Sequence, residues 1–168
     1  MSLLVLLLGC ISCANYEKWK HITEELEMPS QIFKSEFNQS WQGLLQVMKK
    51  YDIAQQNQEA GIIKTRWVDN TDEINFQNSF SKSDKIKAAR FKLTINVVRG
   101  YRYSREVTKI TVYKRQMIEQ DFLQGWKEEP SDTILEKTIL YRIGQLIKID
   151  NKLKEIDKAR EKKQLENF

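Results

Sequence analysis

The residue types that most often carry out chemistry are scarce in this chain of 168 residues. It has one histidine, His21, and two cysteines, Cys10 and Cys13. So few histidines and cysteines argue against catalysis by histidine, against zinc sites and against an internal disulfide framework. The six glycines are scattered and form no phosphate-binding loop, and no two carboxylates have a spacing that suggests paired acid–base catalysis. We therefore expect a protein that is not an enzyme and that holds no metal ion or dissociable cofactor.

The cysteines lie directly after an apolar segment. Residues 1–9 read MSLLVLLLG, which is too short to span a bilayer as a helix, since that needs about 20 apolar residues. The length fits the apolar part of a secretory signal instead. The alternative is a buried N-terminal strand with two ordinary cysteines. The basic residues that usually begin a signal are missing, because the first one is Lys18.

The segment Leu7–Cys10 resembles a bacterial lipobox, in which a small residue precedes a cysteine that is lipidated. We expect residues 1–13 to be a lipoprotein signal and lipidated cysteine region, with Cys10 acylated and Cys13 as a poorer alternative. Two or more acyl chains give stable anchoring in a membrane. Neither cysteine is followed by the aspartate typical of retention in the inner membrane, which favours the outer membrane and a periplasmic domain.

The composition is that of a globular, moderately basic protein. Hydrophobic residues make up 40% and charged residues 30% of the chain, which separates it from disordered and fibrous proteins. The 28 Lys and Arg residues outnumber the 23 Asp and Glu residues, so the net charge is +5. The length favours one domain. The mild positive charge is compatible with nucleic acid or anionic lipid as a partner but indicates neither.

One cluster of residues interleaves basic and aromatic side chains beside a predicted strand. This Arg/Tyr cluster consists of Arg99, Tyr101, Arg102, Tyr103 and Arg105. Such a composition can stack on bases and bind phosphates, and the same cations can bind anionic lipid head groups. The plainer interpretation is a hairpin loop whose side-chain stems cover the edge of a sheet. We rank that interpretation first, lipid or partner contact second and nucleic acid last, because an export signal separates the domain from nucleic acid.

Residues 14–35 are predicted to be a tether between the lipid and the folded domain. Trp19 is a candidate partner contact within this tether. A helix is predicted to begin at Ser40, whose side chain is suited to cap free backbone amides. The apolar positions that follow have the spacing of one helical face: Trp41, Leu44, Leu45 and Met48.

Three segments are predicted to be strands, because they are β-branched and aromatic or alternate apolar with polar residues. They are residues 62–68, 89–97 and 108–115. The last two are spaced for an antiparallel hairpin. Residues 69–87 are mainly polar and are predicted to be a long loop.

A second helix is predicted after Pro130. Thr133 and Glu136 match a capping box, in which each residue satisfies a free backbone amide of the other. An apolar stripe follows at helical spacing: Leu135, Ile139, Ile143, Leu146 and Ile147. Residues 151–168 are rich in Lys and Glu and are predicted to be a solvated helical tail. The expected fold class for residues 36–150 is α+β, with two amphipathic helices packed on one face of an antiparallel sheet.

The order of several motifs resembles the BamC (NlpB-type) lipoprotein family. The similar segments, in chain order, are SWQGLLQVM at 40–48, EAGIIKTRWVDN at 59–70, TKITVYKR at 108–115, WKEEPSD at 126–132 and LYRI at 140–143. The first two correspond to an opening helix and a GxxxTxW motif, and the last three to a final strand and a closing helix. The likeness covers about residues 38–148. Each motif alone is weak, but the ordered set is moderately specific.

The resemblance implies an accessory lipoprotein of the outer-membrane β-barrel assembly (BAM) machinery, without catalytic residues and with a fold of helix-grip type. Its expected partners are the β-barrel assembly protein and other BAM lipoproteins, and no nucleic acid is expected. The family usually has two such domains and a long N-terminal segment that docks onto a partner lipoprotein, whereas residues 14–35 are all that corresponds here. The competing hypothesis is an envelope binding module that recognises anionic lipid or another phosphate-bearing ligand through the Arg/Tyr cluster.

The tryptophans are expected to divide into contact and core residues. Trp19, the exposed sheet face and residues 69–87 are the expected contacts with a partner. Trp41, Trp67 and Trp126 are expected in the core, because they lie at the starts of helices or strands with apolar neighbours at matching spacing.

Overall fold

The described part of the chain has an α+β fold, as the sequence predicts. The structure, a computed structural model, describes residues 28–81, 86–121 and 123–166. Within these ranges the chain forms one antiparallel sheet and three helices. In chain order the elements are β1 (Ser30–Phe33), α1 (Phe37–Met48), β2 (Ile53–Asn57), β3 (Ile62–Thr65), β4 (Val68–Asp69), α2 (Thr71–Ser81), β5 (Ala88–Arg102), β6 (Arg105–Glu119), β7 (Lys127–Glu129) and α3 (Ile134–Glu166).

A long hairpin of β5 and β6 forms the centre of the sheet. The two strands pair without a break over 15 residues each, so both are longer than the sequence predicts. Tyr103 and Ser104 form the turn between them, with φ of 50° and 59°. Two-residue turns with positive φ match the twist of the strands and therefore suit such a hairpin.

The shorter strands flank this hairpin on both sides. β3 and β4 pair with β5, and β2 pairs with β3. On the other side β1 and β7 both pair with β6. Ser30–Phe33, which fall within the predicted tether of residues 14–35, are therefore part of the sheet, and Phe33 is part of the main core. The order across the sheet is β2-β3-β5-β6-β1, and all the pairs are antiparallel. The sheet is thus open rather than closed into a barrel.

Helices α1 and α3 pack on the same face of the sheet and form the main core with it. The predicted burial of Trp41 in α1 and of Ile139 and Ile143 in α3 is confirmed. The sheet contributes Ile63, Phe91, Leu93, Ile95, Val97, Ile110 and Val112 to this core. Each large apolar side chain buried in this way stabilises the fold by about 1.5–3 kcal/mol.

The prediction of a long loop over residues 69–87 is wrong, because Thr71–Ser81 form α2. The backbone N of Thr71 donates a hydrogen bond to Asp69 Oδ1 at 3.0 Å, at the start of the helix. Ile74 packs on a second, smaller core. That core consists of Ile86, Ala89 and Ile118. The helix was missed because its apolar residues, Ile74, Phe76 and Phe80, do not form a single stripe at helical spacing in the sequence.

The first main helix also begins differently from the prediction. α1 begins at Phe37, before the predicted cap Ser40, and Ser40 is buried inside the helix with its hydroxyl 2.6 Å from that of Ser35. The free amide of Phe37 donates to the Glu106 carboxylate of β6 at 2.8 Å. A side chain distant in sequence therefore accepts the first free amide of the helix, and no local sequence pattern indicates this contact.

Helix α3 does not begin with the predicted capping box. The backbone N of Ile134 donates to Asp132 Oδ1 at 3.2 Å, and the backbone N of Thr133 donates to Ser131 Oγ at 3.2 Å. Thr133 has a φ of 61°, and Glu136 is buried. Asp132, just before the helix, therefore satisfies its first amide.

The C-terminal half of α3 leaves the core. Ile147 is the last buried residue of the helix among the described residues, and residues 151–165 are exposed. Near the point of departure, Asp150 accepts hydrogen bonds from Lys154 and from Gln39 of α1. The hydrogen bond from Lys154, and to a smaller extent that from Gln39, holds the pKa of Asp150 below its ordinary value.

Two glycines give opposite predictions for alanine substitution. Gly43 lies in α1, and a Cβ there would meet Ile147 at 3.8 Å, an ordinary contact. Gly43→Ala should therefore raise the free energy of unfolding by about 0.5–1 kcal/mol, as expected for a helix. Gly61 has a φ of 64°, and its Cβ would lie 2.1 Å from the Val97 carbonyl oxygen. Gly61→Ala should therefore lower the free energy of unfolding by about 1–3 kcal/mol or more.

Urea unfolding of the two variants beside the wild type measures both changes. Destabilisation by Gly43→Ala would contradict the space for a Cβ between α1 and Ile147 of α3. A neutral Gly61→Ala would contradict the turn between β2 and β3.

Candidate functional site

The sheet has one face that α1 and α3 do not cover, here called the open face. Side chains alternate between the two faces along a strand, and burial alternates with them along β5 and β6. Odd-numbered residues of β5 and even-numbered residues of β6 face the core, as Leu93 and Val112 do. The even-numbered residues of β5 and the odd-numbered residues of β6 therefore form the open face, with Thr94 and Tyr113 as one cross-strand pair.

Most of the cations of the hairpin lie on the open face. The two strands contain eight Lys and Arg residues, and Arg99 and Lys114 are the two at core-face positions. The other six are here called the cationic strip: Arg90, Lys92, Arg102, Arg105, Lys109 and Arg115. Within β5 and β6, Glu119 is the one carboxylate at an open-face position. The strip therefore makes this side of the hairpin positively charged.

Two tryptophans enclose one cation of the strip. The Arg90 guanidinium carbon lies 4.7 Å from the ring centre of Trp67 and 4.0 Å from that of Trp126. A cation over an aromatic face is attracted by about 0.5–2 kcal/mol. Trp67 and Trp126 remain 38% and 36% exposed, so the prediction that they lie in the core is wrong.

A change in strand alternation places Trp67 on the open face. Thr65 faces the core, where its Oγ1 accepts a hydrogen bond from the backbone N of Leu93 at 2.9 Å. Val68 packs on the same core. Residues three apart on a regular strand face opposite sides, so the irregular residues 66–67 between β3 and β4 shift the alternation. Trp67 then lies opposite the core, beside Arg90.

A second group on the open face joins β6 to β7. Glu128 accepts hydrogen bonds from the Arg115 guanidinium at 3.0–3.1 Å and from the Tyr113 hydroxyl at 3.3 Å. Burial and then the negative charge of Glu128 raise the pKa of Tyr113 above its ordinary value of 10.0. Tyr113 is therefore a neutral donor throughout the physiological range of pH.

The five residues of the Arg/Tyr cluster all lie at the end of the hairpin, but alternation divides them between its two faces. Tyr103 lies in the turn and is 87% exposed. Arg102 and Arg105 are cross-strand partners on the open face. Arg99 and Tyr101 occupy core-face positions beyond the main core. Two of the three arginines thus join the cationic strip, and the cluster does not form one binding surface.

Arg99 is engaged within the protein. Its Nε lies 3.2 Å from Glu106 Oε1, and its guanidinium carbon lies 5.2 Å from the ring centre of Phe37. The same carboxylate accepts the amide of Phe37 at the start of α1. These contacts fix the hairpin to α1, so Arg99 is a poorer contact candidate than Arg102 or Arg105.

A second feature lies on the core face, at the end of the sheet near α2. A cleft of about 540 Å³ opens there between the three helices. Lys114 lines it with a nearly buried side chain, and its Nζ lies 3.6 Å from Asp132 Oδ1. Asn70 Oδ1 is buried at the cleft without a hydrogen-bond partner among the described residues. Of the two cations that line the cleft, Lys114 already has a carboxylate partner and Lys50 lies 4.8 Å from the ring centre of Tyr51. The open face, which carries several cations without ion-pair partners among the described residues, is the stronger candidate site.

The remaining candidate residues from the sequence lie outside the described residues. They are Cys10, Cys13 and Trp19. Within the described ranges, no helix is long and apolar enough to span a membrane. The same ranges contain no group of three or more His, Cys, Asp and Glu side chains placed to hold a metal ion.

Four members of the cationic strip were not predicted from the sequence to share one surface. These are Arg90, Lys92, Lys109 and Arg115. The signal for them was the numbering of the cations, which are mostly even in β5 and odd in β6. This numbering can be recognised only when both predicted strands are lengthened to the turn at Tyr103, because the cationic strip spans the whole hairpin.

No protein-family model matches the chain, and no curated protein matches it significantly.

The pKa of Tyr113 gives a test of the geometry of the open face. Glu128→Gln should lower this pKa part of the way toward 10.0, because burial, the larger cause, remains. The raised pKa stabilises the folded state below pH 10.0, and this contribution is lost as the pH rises through the folded-state value. Glu128→Gln should therefore reduce the loss of stability in that range. Ring NMR signals of labelled tyrosine report the pKa directly.

Glu119→Gln is the matched control, since it removes a carboxylate of the same face that is not bonded to Tyr113. An unchanged Tyr113 pKa in Glu128→Gln, or an equal change in both variants, would contradict the contact between Tyr113 and Glu128.

Proposed function

We propose that this chain is a non-catalytic, lipid-anchored accessory or scaffold protein of outer-membrane β-barrel protein assembly, and that it contacts a partner protein through the open face. The observation that carries the proposal is the open face itself, an uncovered sheet surface with exposed Trp67, Tyr113 and Trp126 beside the cationic strip. Trp, Tyr and Arg dominate the binding energy of protein interfaces. This surface offers contacts for a macromolecule rather than an enclosed site for a reaction.

The ordered motifs over residues 38–148 support the assignment to outer-membrane assembly. Their order resembles that of BamC-type lipoproteins, and α1 and α3 pack together on one face of an antiparallel sheet. We infer from this pairing that the domain is of the BamC-like, helix-grip type. The motif at 59–70 includes Trp67, which lies on the open face. The motifs at 108–115 and 126–132 likewise include Tyr113 and Trp126 of this face. The resemblance and the candidate site therefore overlap.

The lipid anchor is inferred from the residues before the domain. Leu7–Cys10 resembles a lipobox, and an acylated Cys10 would hold the domain at the outer membrane with about 0.8 kcal/mol for each buried CH₂ group. Residues 14–27 then connect the lipid to the first described residues. A short connection keeps the open face close to membrane-bound partners such as the β-barrel assembly protein and its lipoproteins.

A second candidate function is an envelope module for anionic lipid or another phosphate-bearing ligand. The end of the hairpin favours it, because Tyr103 is 87% exposed between Arg102 and Arg105. Such a site would lose affinity steeply as the salt concentration rises.

Substitution of each cysteine tests the anchor. Cys10→Ala should abolish labelling by radioactive palmitate and move the protein to the soluble fraction, because the acylated residue is lost. Cys13→Ala should leave both unchanged and serves as the matched control. Recovery of the wild-type protein without label in the soluble fraction would refute the anchor, and loss of label in Cys13→Ala alone would move it to that residue.

An affinity pull-down tests the partner. The full-length protein with a C-terminal tag is purified from gently solubilised native membranes, and copurifying proteins are identified by mass spectrometry. We expect the β-barrel assembly protein and its lipoproteins, because the proposed contact is between proteins. Purification of a membrane-bound protein without them, together with binding to anionic vesicles, would favour the second candidate function.

A further inference from the structure

We propose that the open face binds an extended, acidic segment of a partner polypeptide, which lies along the cationic strip from the two tryptophans toward the hairpin turn. The site rests on the proposed function, since it requires that the partner is a protein. It adds the chemistry by which that partner is recognised: carboxylates for the strip and apolar or aromatic side chains for the tryptophans.

The middle and the turn end of the strip carry charges without ion-pair partners. Within the described residues, Lys109 and Arg105 form no ion pair, and neither does Lys64, which lies on the same face of β3 opposite Thr94. Arg102 likewise forms no ion pair among the described residues, and its guanidinium carbon lies 5.6 Å from the ring centre of Tyr103. These cations can therefore pair with the carboxylates of another molecule.

The other end of the strip offers aromatic surface in a fixed position. Arg90 lies between Trp67 and Trp126 and its Nε is buried without a hydrogen-bond partner among the described residues. The guanidinium thus holds both indoles, while about a third of each remains exposed. Rigid, partly exposed tryptophans lose little conformational freedom on binding, which favours them as anchors for apolar side chains.

The shape of the hairpin favours a polypeptide segment over a membrane surface. Strands of 15 residues extend over roughly 50 Å at 3.3–3.4 Å per residue, and they twist along their length. A flat bilayer touches only part of such a surface, whereas an extended chain can follow it. Neighbouring side chains on one face of a strand lie about 6.6–7 Å apart, which is also the interval between alternate side chains of an extended peptide.

The charges at the tryptophan end favour a mixed sequence over a uniform phosphate polymer. Glu119 and Glu128 both lie at this end, next to the positions of Met117 and Arg90. Glu128 is paired with Arg115, whereas Glu119 forms no ion pair among the described residues and repels a polymer that carries a negative charge at every unit. A polypeptide can place carboxylates along the strip and uncharged side chains here.

Fluorescence anisotropy with a synthetic peptide tests the proposal. The probe is a fluorescein-labelled peptide about 12 residues long, which spans roughly 40 Å when extended. It carries glutamates at alternate positions over one half and phenylalanines at the same alternate positions over the other half, with serine between them. The same peptide with glutamine in place of glutamate is the control for charge. The protein is the full-length chain in detergent, with polyphosphate and phosphatidylglycerol vesicles as the competing ligands.

Two double variants with the same change in net charge locate the site. Lys64→Gln with Lys109→Gln removes unpaired cations of the open face, whereas Lys158→Gln with Lys163→Gln removes exposed cations at the far end of α3. We expect the first to weaken binding of the glutamate peptide roughly 3- to 30-fold, the effect of two partly screened ion pairs, and the second to leave it unchanged. Thermal unfolding of each variant confirms that it is folded.

The outcomes separate the binding chemistry from the proposed function. Equal effects of the two double variants, equal binding of the glutamine peptide, or tighter binding of polyphosphate or vesicles would overturn the acidic-peptide site. Copurification of assembly proteins without peptide binding would leave the proposed function intact and refute only this site. Peptide binding that is lost in the first variant, without assembly proteins in the pull-down, would support the site and refute the proposed function.

Discussion

The two-residue alternation of side chains along the β5–β6 hairpin governs both the fold and its candidate surface. Leu93, Ile95 and Val112 are buried under α1 and α3. Their burial determines which residues of each strand face the core and which lie on the open face. Unpaired cations are then disfavoured on the core face, because a buried charge is costly unless it is paired. The two that occur there each have a carboxylate, Asp132 for Lys114 and Glu106 for Arg99. The positive open face is thus the counterpart of the apolar core.

The elements that the sequence predicts well are those whose stability is local and periodic. The hairpin strands and the apolar stripe of α3 have enough apolar residues at regular spacing to be recognised, and their burial is as expected. The start of α1 and the position of α2 depend on contacts with residues distant in the sequence. Glu106 of β6 accepts the first amide of α1. Ile74 packs on the small core, and Asn75 and Thr71 form hydrogen bonds to the backbone of Ile86 and Ala89 in that core. Contacts of this kind leave no pattern in a window of neighbouring residues.

The candidate surface was only partly accessible to sequence reasoning for a related reason. The Arg/Tyr cluster was found because its residues are adjacent in the chain, yet the strands divide it between two faces. The cationic strip is scattered over β5 and β6 and becomes a surface only through pairing. Trp67 was assigned to the core because its neighbours are apolar, and the irregular residues 66–67 that turn it outward cannot be recognised before the pairing of Val68 with Phe91 is known. Register, rather than composition, decides this surface.

The exposed half of α3 affects how the molecule moves in solution. From Ile147, the last buried residue of the helix among those described, to Glu166 the helix extends roughly 28 Å at 1.5 Å per residue. A rod of this length on a small domain increases the hydrodynamic radius more than it increases the mass. The domain should therefore tumble anisotropically, with its long axis along α3, and it should elute from a sizing column ahead of a compact globule of equal mass.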